Sequence, residues 1–212
     1  MSSPKPDLKR LATEERTSLL DVLRTLTPEQ WATRSLCPGW TVREVAIHII
    51  SYDDLSWPGL GLTFLKGGPR VSSVNAVAMR PYNDLSNDGV LDLIAKHLVP
   101  RGLTAGFGGG IALTDGTIHH QDIRRALNLR RTIPAERLRP VLDFALGAPT
   151  IPAKGNAKGL RLVATDLDWE HGKGLAVTGP GEALLMATAG RPDALKDLAG
   201  PGLATISARL AT

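Results

Sequence analysis

The sequence has little cysteine, few aromatic residues and no long apolar run, and each shortage excludes a class of protein. Cys37 is the single cysteine among 212 residues, which excludes an internal disulfide and a cysteine-cluster metal site. No apolar run approaches the about 18 residues that a membrane span needs. The first ten residues are polar and lack the apolar core of a secretory signal. We therefore expect a cytoplasmic protein with no membrane partner.

A strong charge of one sign is also lacking. The sequence has 25 Lys+Arg and 21 Asp+Glu, a formal net charge of +4, which is a small excess for this length. Arginines cluster between residues 124 and 139, but no aromatic side chains accompany them for base stacking, and no nucleic-acid-binding motif is present. We therefore expect no nucleic-acid partner.

Helix-start signals organise the first two thirds of the chain. Thr27 to Gln30 and Thr41 to Glu44 are capping boxes, and Ser86 and Thr114 are suited to cap further helices. Residues 58–84 show weak periodicity and predict a long connection. The predicted helices span 7–26, a short element after Thr27, 42–57, 86–99, 115–128 and 134–146. Four of these helices, one reached through the long connection, predict a four-helix bundle in an α+β, mainly α, fold.

The last third of the chain predicts strands as well as helices. Gly147 to Gly159 is a breaker-rich linker, so we place domains at 1–150 and 151–212. The tail predicts a strand at 160–165, a turn at 172–174, a returning strand at 175–178, and helices at 180–189 and 201–210. A segment this short buries too little surface to be stable unaided, so we expect it to dock on the bundle.

A polar strip interrupts the apolar face of the predicted helix at 115–128. At 100° per residue, Asp115, His119 and Asp122 fall on one side, bracketed by isoleucines. Burying these groups costs several kcal/mol unless they are paired, hydrogen-bonded or bound to metal. His120 points about 100° away from His119. Thr117 and its neighbours Gln121 and Arg124 are expected on the solvated face.

His48 also leans inward from its own predicted helix. With Asp115 and His119 it would form a three-ligand divalent metal site, and helical bundles build metal sites in this way. Three protein ligands leave a coordination position open for water or substrate. An internal Asp–His network with water is the alternative. His97 is a rival ligand, for which a hydrogen-bonded place in the core is the simpler expectation.

Three segments resemble one known family. Residues 36–48, LCPGWTVREVAIH, resemble the first signature of the mycothiol-dependent maleylpyruvate isomerase family, which belongs to the DinB-like superfamily. Residues 118–127, IHHQDIRRAL, are similar to its second signature. The tail resembles the family's small C-terminal domain at residues 164–166, Trp169, Gly172, 179–180 and 189–191.

The resemblance implies a DinB-like four-helix bundle with an appended α/β domain and a divalent metal. Zinc is the first expectation, with nickel, iron or manganese as alternatives. The implied ligands are His48, Asp115 and His119. The family usually has Glu at position 115, and Asp is one methylene shorter, so the helix must sit closer or a water must bridge.

The resemblance also implies a chemistry. The metal would bind a low-molecular-weight thiol, mycothiol or another. That thiol would either be transferred to a small electrophilic substrate or assist in its isomerisation. The alternative is a non-catalytic metal or ligand binder. A homodimer is left open.

Five further side chains carry expectations. Arg191 is expected to hold a substrate carboxylate through its guanidinium fork, and the alternative is that it pairs with a helix end or an acidic side chain. Arg80 is a weaker candidate for the same carboxylate, and is otherwise expected to bind the cofactor. Tyr52 and Asp122 are expected to contact the metal ligands, and not the metal, and so to orient them. Cys37 is expected to be structural.

Overall fold

The computed structural model describes residues 6–211 and is mainly helical, with one small sheet. The chain divides into two compact units, Met1–Arg130 and Arg131–Thr212. The predicted α+β, mainly α, class is confirmed. The division falls before the linker at 150 because the helix at 135–147 packs on helices of the second unit. Among residues 6–211, no helix combines the length and apolar character that a membrane crossing requires.

The first unit contains seven helices among its described residues. Its α-helices are α1 (Leu8–Leu23), α2 (Pro28–Ala32), α3 (Val42–His48), α4 (Trp57–Gly67), α5 (Val71–Met79), α6 (Asn87–Lys96) and α7 (Gly110–Ala126), with 3₁₀ segments at Arg80–Tyr82 and Gly102–Gly109. Both predicted capping boxes form, and Ser86 caps α6. Helix α1 packs on α6 and α7, and α3 packs on the same two helices.

Three predictions about this unit are wrong. Helix α3 ends at His48, well before 57, and the Trp57–Pro58 pair begins α4 because Ser56 caps it and a proline fits the first turn. Residues 58–84 are therefore helical, in α4 and α5. The fourth helix begins at Gly110, ahead of Thr114.

The solvated face predicted for α7 is also absent. Thr117 and Gln121 are buried, because α1 packs against this side of the helix. Glu15 of α1 lies 2.8 Å from His120, Oε1 to Nδ1, and both are fully buried. Arg124 donates from Nε to Nε2 of His120 at 2.8 Å, so the remaining proton of this imidazole is on Nδ1.

A buried ion pair fixes α1 to the turn that follows α3. Arg16 Nη1 lies 2.6 Å from Asp53 Oδ2, with both side chains at most 1% exposed. The guanidinium also donates to the carbonyls of His97 and Ile49, at 2.6 and 3.2 Å. Asp53 accepts further hydrogen bonds from Thr104 and from the backbone of Arg101. This network satisfies the hydrogen-bonding groups just after α3 and so holds the end of that helix in place.

The second unit is a small α/β assembly. It contains α8 (Ala135–Gly147), α9 (Ala153–Asn156), β1 (Leu160–Ala164), β2 (Glu170–Gly172), β3 (Leu175–Gly179), α10 (Gly181–Thr188), a 3₁₀ segment (Pro192–Asp197) and α11 (Leu203–Leu210). The strand order is β2-β1-β3.

The strand predicted to return beside β1 runs parallel to it. Strand β3 pairs with β1 in parallel and β2 pairs antiparallel on the other edge. The connection from β2 to β3 therefore passes across the start of β1, and Gly172 and Gly174 lie at this crossing. A Cβ at either position would lie 2.3 or 2.2 Å from a carbonyl oxygen of residue 160 or 159, so only glycine allows this crossing.

Candidate metal centre

Helices α3 and α7 bring the three predicted ligands together. Asp115 Oδ1 lies 3.6 Å from His48 Nε2 and 3.5 Å from His119 Nε2. One ligand atom from each residue lies within 4.8 Å of the other two. His48 is the last residue of α3, and Asp115 and His119 are one turn apart on α7. The shorter Asp side chain at position 115 therefore reaches both imidazoles.

Trp40 forms a wall of this cluster. Its ring centroid lies 4.8 Å from that of His48 and 6.1 Å from that of His119. The two imidazoles are themselves perpendicular, with centroids 4.8 Å apart. A tight turn before α3 places Trp40, since Gly39 has a φ of +84° and Trp40 N donates to the carbonyl of Cys37. Packing against Trp40 and against each other therefore limits the rotation of the two imidazoles and fixes the directions of their nitrogen donors.

The cluster is buried except at one point. From residue 112 to 123, every residue of α7 is buried apart from Asp115, whose side chain is 38% exposed. His48 and His119 are 7% and 8% exposed. Two buried imidazoles and one carboxylate at the solvent edge form a site with an accessible side.

The electrostatics of the cluster favour a cation. Burial would raise the pKa of Asp115, but the imidazoles of His119 and His48 outweigh it and hold that pKa well below its usual range. Burial would lower the pKa of His119, but the Asp115 charge and the Asp122 hydrogen bond raise it to about 10. Without a metal, a proton on His119 supplies the positive charge that the carboxylates stabilise.

The surrounding groups fit a bound divalent cation. His119 Nδ1 lies 2.9 Å from Asp122 Oδ2, so this nitrogen donates to a fully buried carboxylate and Nε2 is left to face Asp115. Metal-ligating histidines are held in this way. His48 Nδ1 is buried without a protein partner among the described residues, although buried polar atoms are normally satisfied. The donor set, two imidazoles and a carboxylate, suits zinc and similar metals.

Tyr52 touches the cluster through its ring. The ring meets the imidazole of His48 edge-on at 6.2 Å, and the hydroxyl lies 2.6 Å from Oδ1 of Asn75 in α5, to which it donates. Burial, helped by the Asp115 charge, raises the pKa of Tyr52 to about 12, so the phenol stays protonated at neutral pH. Tyr52 can therefore steady His48 by packing.

The two predicted arginines lie outside the stretches that supply the three donors. Arg80 is exposed in the 3₁₀ segment after α5. Arg191 lies in the second unit, where its Nη1 donates to the carbonyl of Ala189 at 2.6 Å. Their binding roles stay predictions.

The rival His97 is a core residue, as expected. It is 1% exposed, its Nδ1 donates to the carbonyl of Leu93 at 2.8 Å, and its Nε2 lies 2.7 Å from Asp54 Oδ1. The sequence does not predict the partnership of His120 with Glu15, because the two residues are far apart in the chain and no spacing pattern links them.

Together these features define a mainly helical protein with a buried histidine–aspartate–histidine cluster. Residues 12–58, which include His48, match the family described as mycothiol maleylpyruvate isomerase N-terminal domain. The resemblance predicted from residues 36–48 is thereby confirmed. No curated protein matches the chain in sequence.

Two solved structures resemble the chain over its length. One is a histidine-to-alanine mutant of the mycothiol-dependent maleylpyruvate isomerase, with 16% identity, 92% of this chain and 90% of that chain covered, and a TM-score of 0.52. The other is the mycothiol-dependent maleylpyruvate isomerase itself, with the same identity and coverage and a TM-score of 0.49. At this identity, the first of these matches shows a shared fold.

Proposed function

We propose that the chain binds a divalent metal, zinc first, through His48, Asp115 and His119, and uses it to hold a low-molecular-weight thiol. The thiol, mycothiol or a relative, would serve transfer to, or isomerisation of, a small electrophile such as maleylpyruvate. We also propose that α1, α3, α6 and α7 form a DinB-like four-helix bundle around this centre, and that the protein is cytoplasmic.

The convergence of the three donors carries the proposal. Residues far apart in sequence meet within 4.8 Å, and one of them keeps a side toward solvent. A purely structural network would be expected to satisfy its buried atoms, yet His48 Nδ1 has no protein partner in the described part of the chain. The match of residues 12–58 supports the same conclusion independently.

The chemistry follows from the donor set and its surroundings. A divalent cation held here supplies Lewis acidity and lowers the pKa of a thiol bound to it. Asp122 fixes the tautomer of His119 by accepting its Nδ1 proton. Trp40 covers the two imidazoles and excludes water from one side. Asp115 marks the open edge, where a thiol and its substrate would enter.

Substrate binding would need a cationic partner. We propose Arg191 for a substrate carboxylate, with Tyr52 steadying His48 and Arg80 assisting on the cofactor side. Arginine suits this task because its planar fork binds a carboxylate through two hydrogen bonds. Arg191→Lys should raise KM for a carboxylate substrate more than it changes kcat, because lysine keeps the charge and loses the fork.

The test loads metal-free protein with zinc and measures thiol binding by titration calorimetry, then isomerisation of maleylpyruvate with mycothiol. His119→Ala should lose both thiol binding and turnover. His171→Ala is the matched control, since His171 is exposed on β2. Equal thiol binding by the wild type and His119→Ala would contradict the proposal. Zinc-dependent thiol binding without turnover on any electrophile would restrict it to a binding protein.

A further inference from the structure

A second set of metal-ligating side chains lies on the other side of His119. One ligand atom from each of Cys37, His119 and Asp122 lies within 4.8 Å of the other two. The histidine is shared with the cluster described above, but it offers two nitrogens on opposite sides of its ring. Nε2 lies 3.5 Å from Asp115, whereas Nδ1 lies 2.9 Å from Asp122.

The backbone holds Cys37 in this position. Leu36 N donates to the carbonyl of Asp122 at 3.2 Å, which ties the turn before α3 directly to α7. Within the turn, Ser35 Oγ accepts from Cys37 N at 3.1 Å and donates to the carbonyl of Trp40 at 2.9 Å. The thiol is therefore presented to α7 by a locally closed turn, and Cys37 is half-buried.

We infer that Cys37, His119 Nδ1 and Asp122 form a second cation site, selective for a thiophilic divalent metal such as zinc. Metal–sulfur bonds are about 2.3 Å and metal–nitrogen and metal–oxygen bonds about 2.1 Å, so two donors of one cation lie at most about 4.4 Å apart. The observed limit of 4.8 Å is close to this value. We expect a bound cation to draw the three donors closer together by this difference.

The donor types set the selectivity. A thiolate with an imidazole favours zinc, cadmium or cobalt over magnesium and calcium, which prefer oxygen ligands. The cation would take the place of two protons, one on the thiol and one on Nδ1, and both would pass to solvent. Asp122 is fully buried, so its carboxylate is already placed to compensate a positive charge.

Cobalt(II) titration of the metal-free protein and of variants lacking one set of ligands tests the inference, because only the second site contains sulfur. Cobalt bound to His48, Asp115 and His119 gives visible d–d bands without sulfur. Cobalt bound to Cys37 adds a thiolate-to-metal charge-transfer band in the near ultraviolet. The assignment is unambiguous because Cys37 is the only cysteine. We expect this band in the wild type and in His48→Ala, and its loss in Cys37→Ser.

A second readout does not depend on colour. Zinc should slow alkylation of Cys37 by iodoacetamide in the wild type and in His48→Ala, and should give no protection in Asp122→Ala. Visible bands without the charge-transfer band, together with unprotected Cys37, would overturn this inference and leave the proposed function intact. Absence of both kinds of band would overturn both. A charge-transfer band in the wild type and in His48→Ala, with no d–d bands in Cys37→Ser, would support the second site and contradict the first.

Discussion

Adjacent histidines on α7 have opposite surroundings. His120 is fully buried with a partner on each nitrogen, Glu15 on one side and Arg124 on the other. His119 has a partner on Nδ1, while its Nε2 faces Asp115, a carboxylate that reaches solvent. Satisfied polar groups stabilise a fold, whereas converging donors with an open side can bind a ligand. The same contrast separates the Arg16–Asp53 pair from the His48 cluster.

The largest loss of stability should come from breaking the buried ion pair between Arg16 and Asp53. Arg16→Met leaves Asp53 buried without its counter-ion and should lower the free energy of unfolding by about 3–5 kcal/mol. Urea unfolding measures this loss. Arg24→Met, which breaks an exposed pair with Asp21, is the control and should cost less than about 1 kcal/mol. Equal losses in the two variants would contradict the comparison.

Metal removal should produce the next largest effect. A ligand at 100 times its Kd stabilises the folded state by about 2.7 kcal/mol, so a chelator should remove at least that much from zinc-loaded wild type. His119→Ala should show no chelator effect, because it lacks a shared ligand. Thermal unfolding with and without chelator measures the difference. A chelator effect of equal size in both proteins would exclude His119 as a ligand.

Loss of the group behind His119 should have a smaller effect. In the Cys37→Ser background, which lacks the second proposed site, Asp122→Asn removes the carboxylate that accepts from Nδ1 and should weaken zinc binding by about 10–100-fold. That range corresponds to about 1.4–2.8 kcal/mol. Competition with a zinc indicator measures it. Unchanged affinity would show that the orientation of His119 does not depend on Asp122.

The smallest loss of stability is expected at Asp54, a partly exposed carboxylate that pairs with the buried His97. The hydrogen bond from His97 lowers the pKa of Asp54. A lowered pKa stabilises the fold above the unfolded value of about 3.9, and the contribution is lost as the pH falls through the folded value. Asp54→Asn should therefore cost less than about 1 kcal/mol at pH 6, and the difference from wild type should shrink below pH 4. A difference that grows on acidification would contradict this sign.

The sequence predicts the cluster better than its surroundings. Asp115 and His119 are one turn apart, so helical geometry alone places them on one face of α7. Their meeting with His48 depends on how α3 packs on α7, which the sequence suggests only through the inward lean of His48. The burial of Thr117 and Gln121 depends on α1, and a single-helix pattern holds no information about that neighbour.

Local signals were informative where one residue decides a structure. The capping boxes at Thr27 and Thr41 define helix starts because their hydrogen bonds are made within four residues. The helix end predicted at residue 57 is wrong because Ser56 caps a new helix there and Pro58 suits the first turn of that helix. The parallel pairing of β1 and β3 depends on the crossing at Gly172 and Gly174, which a hairpin pattern does not reveal.

Zinc titration of metal-free Cys37→Ser protein tests the central claim most directly, because the second proposed site is removed in that background. We predict one zinc per chain, with a loss of affinity in the added His48→Ala or Asp115→Ala variant beyond the about 10–100-fold that loss of an outer partner costs. The added His171→Ala variant should bind like its parent. Unchanged zinc affinity after loss of His48 and of Asp115 would contradict a shared metal at this cluster.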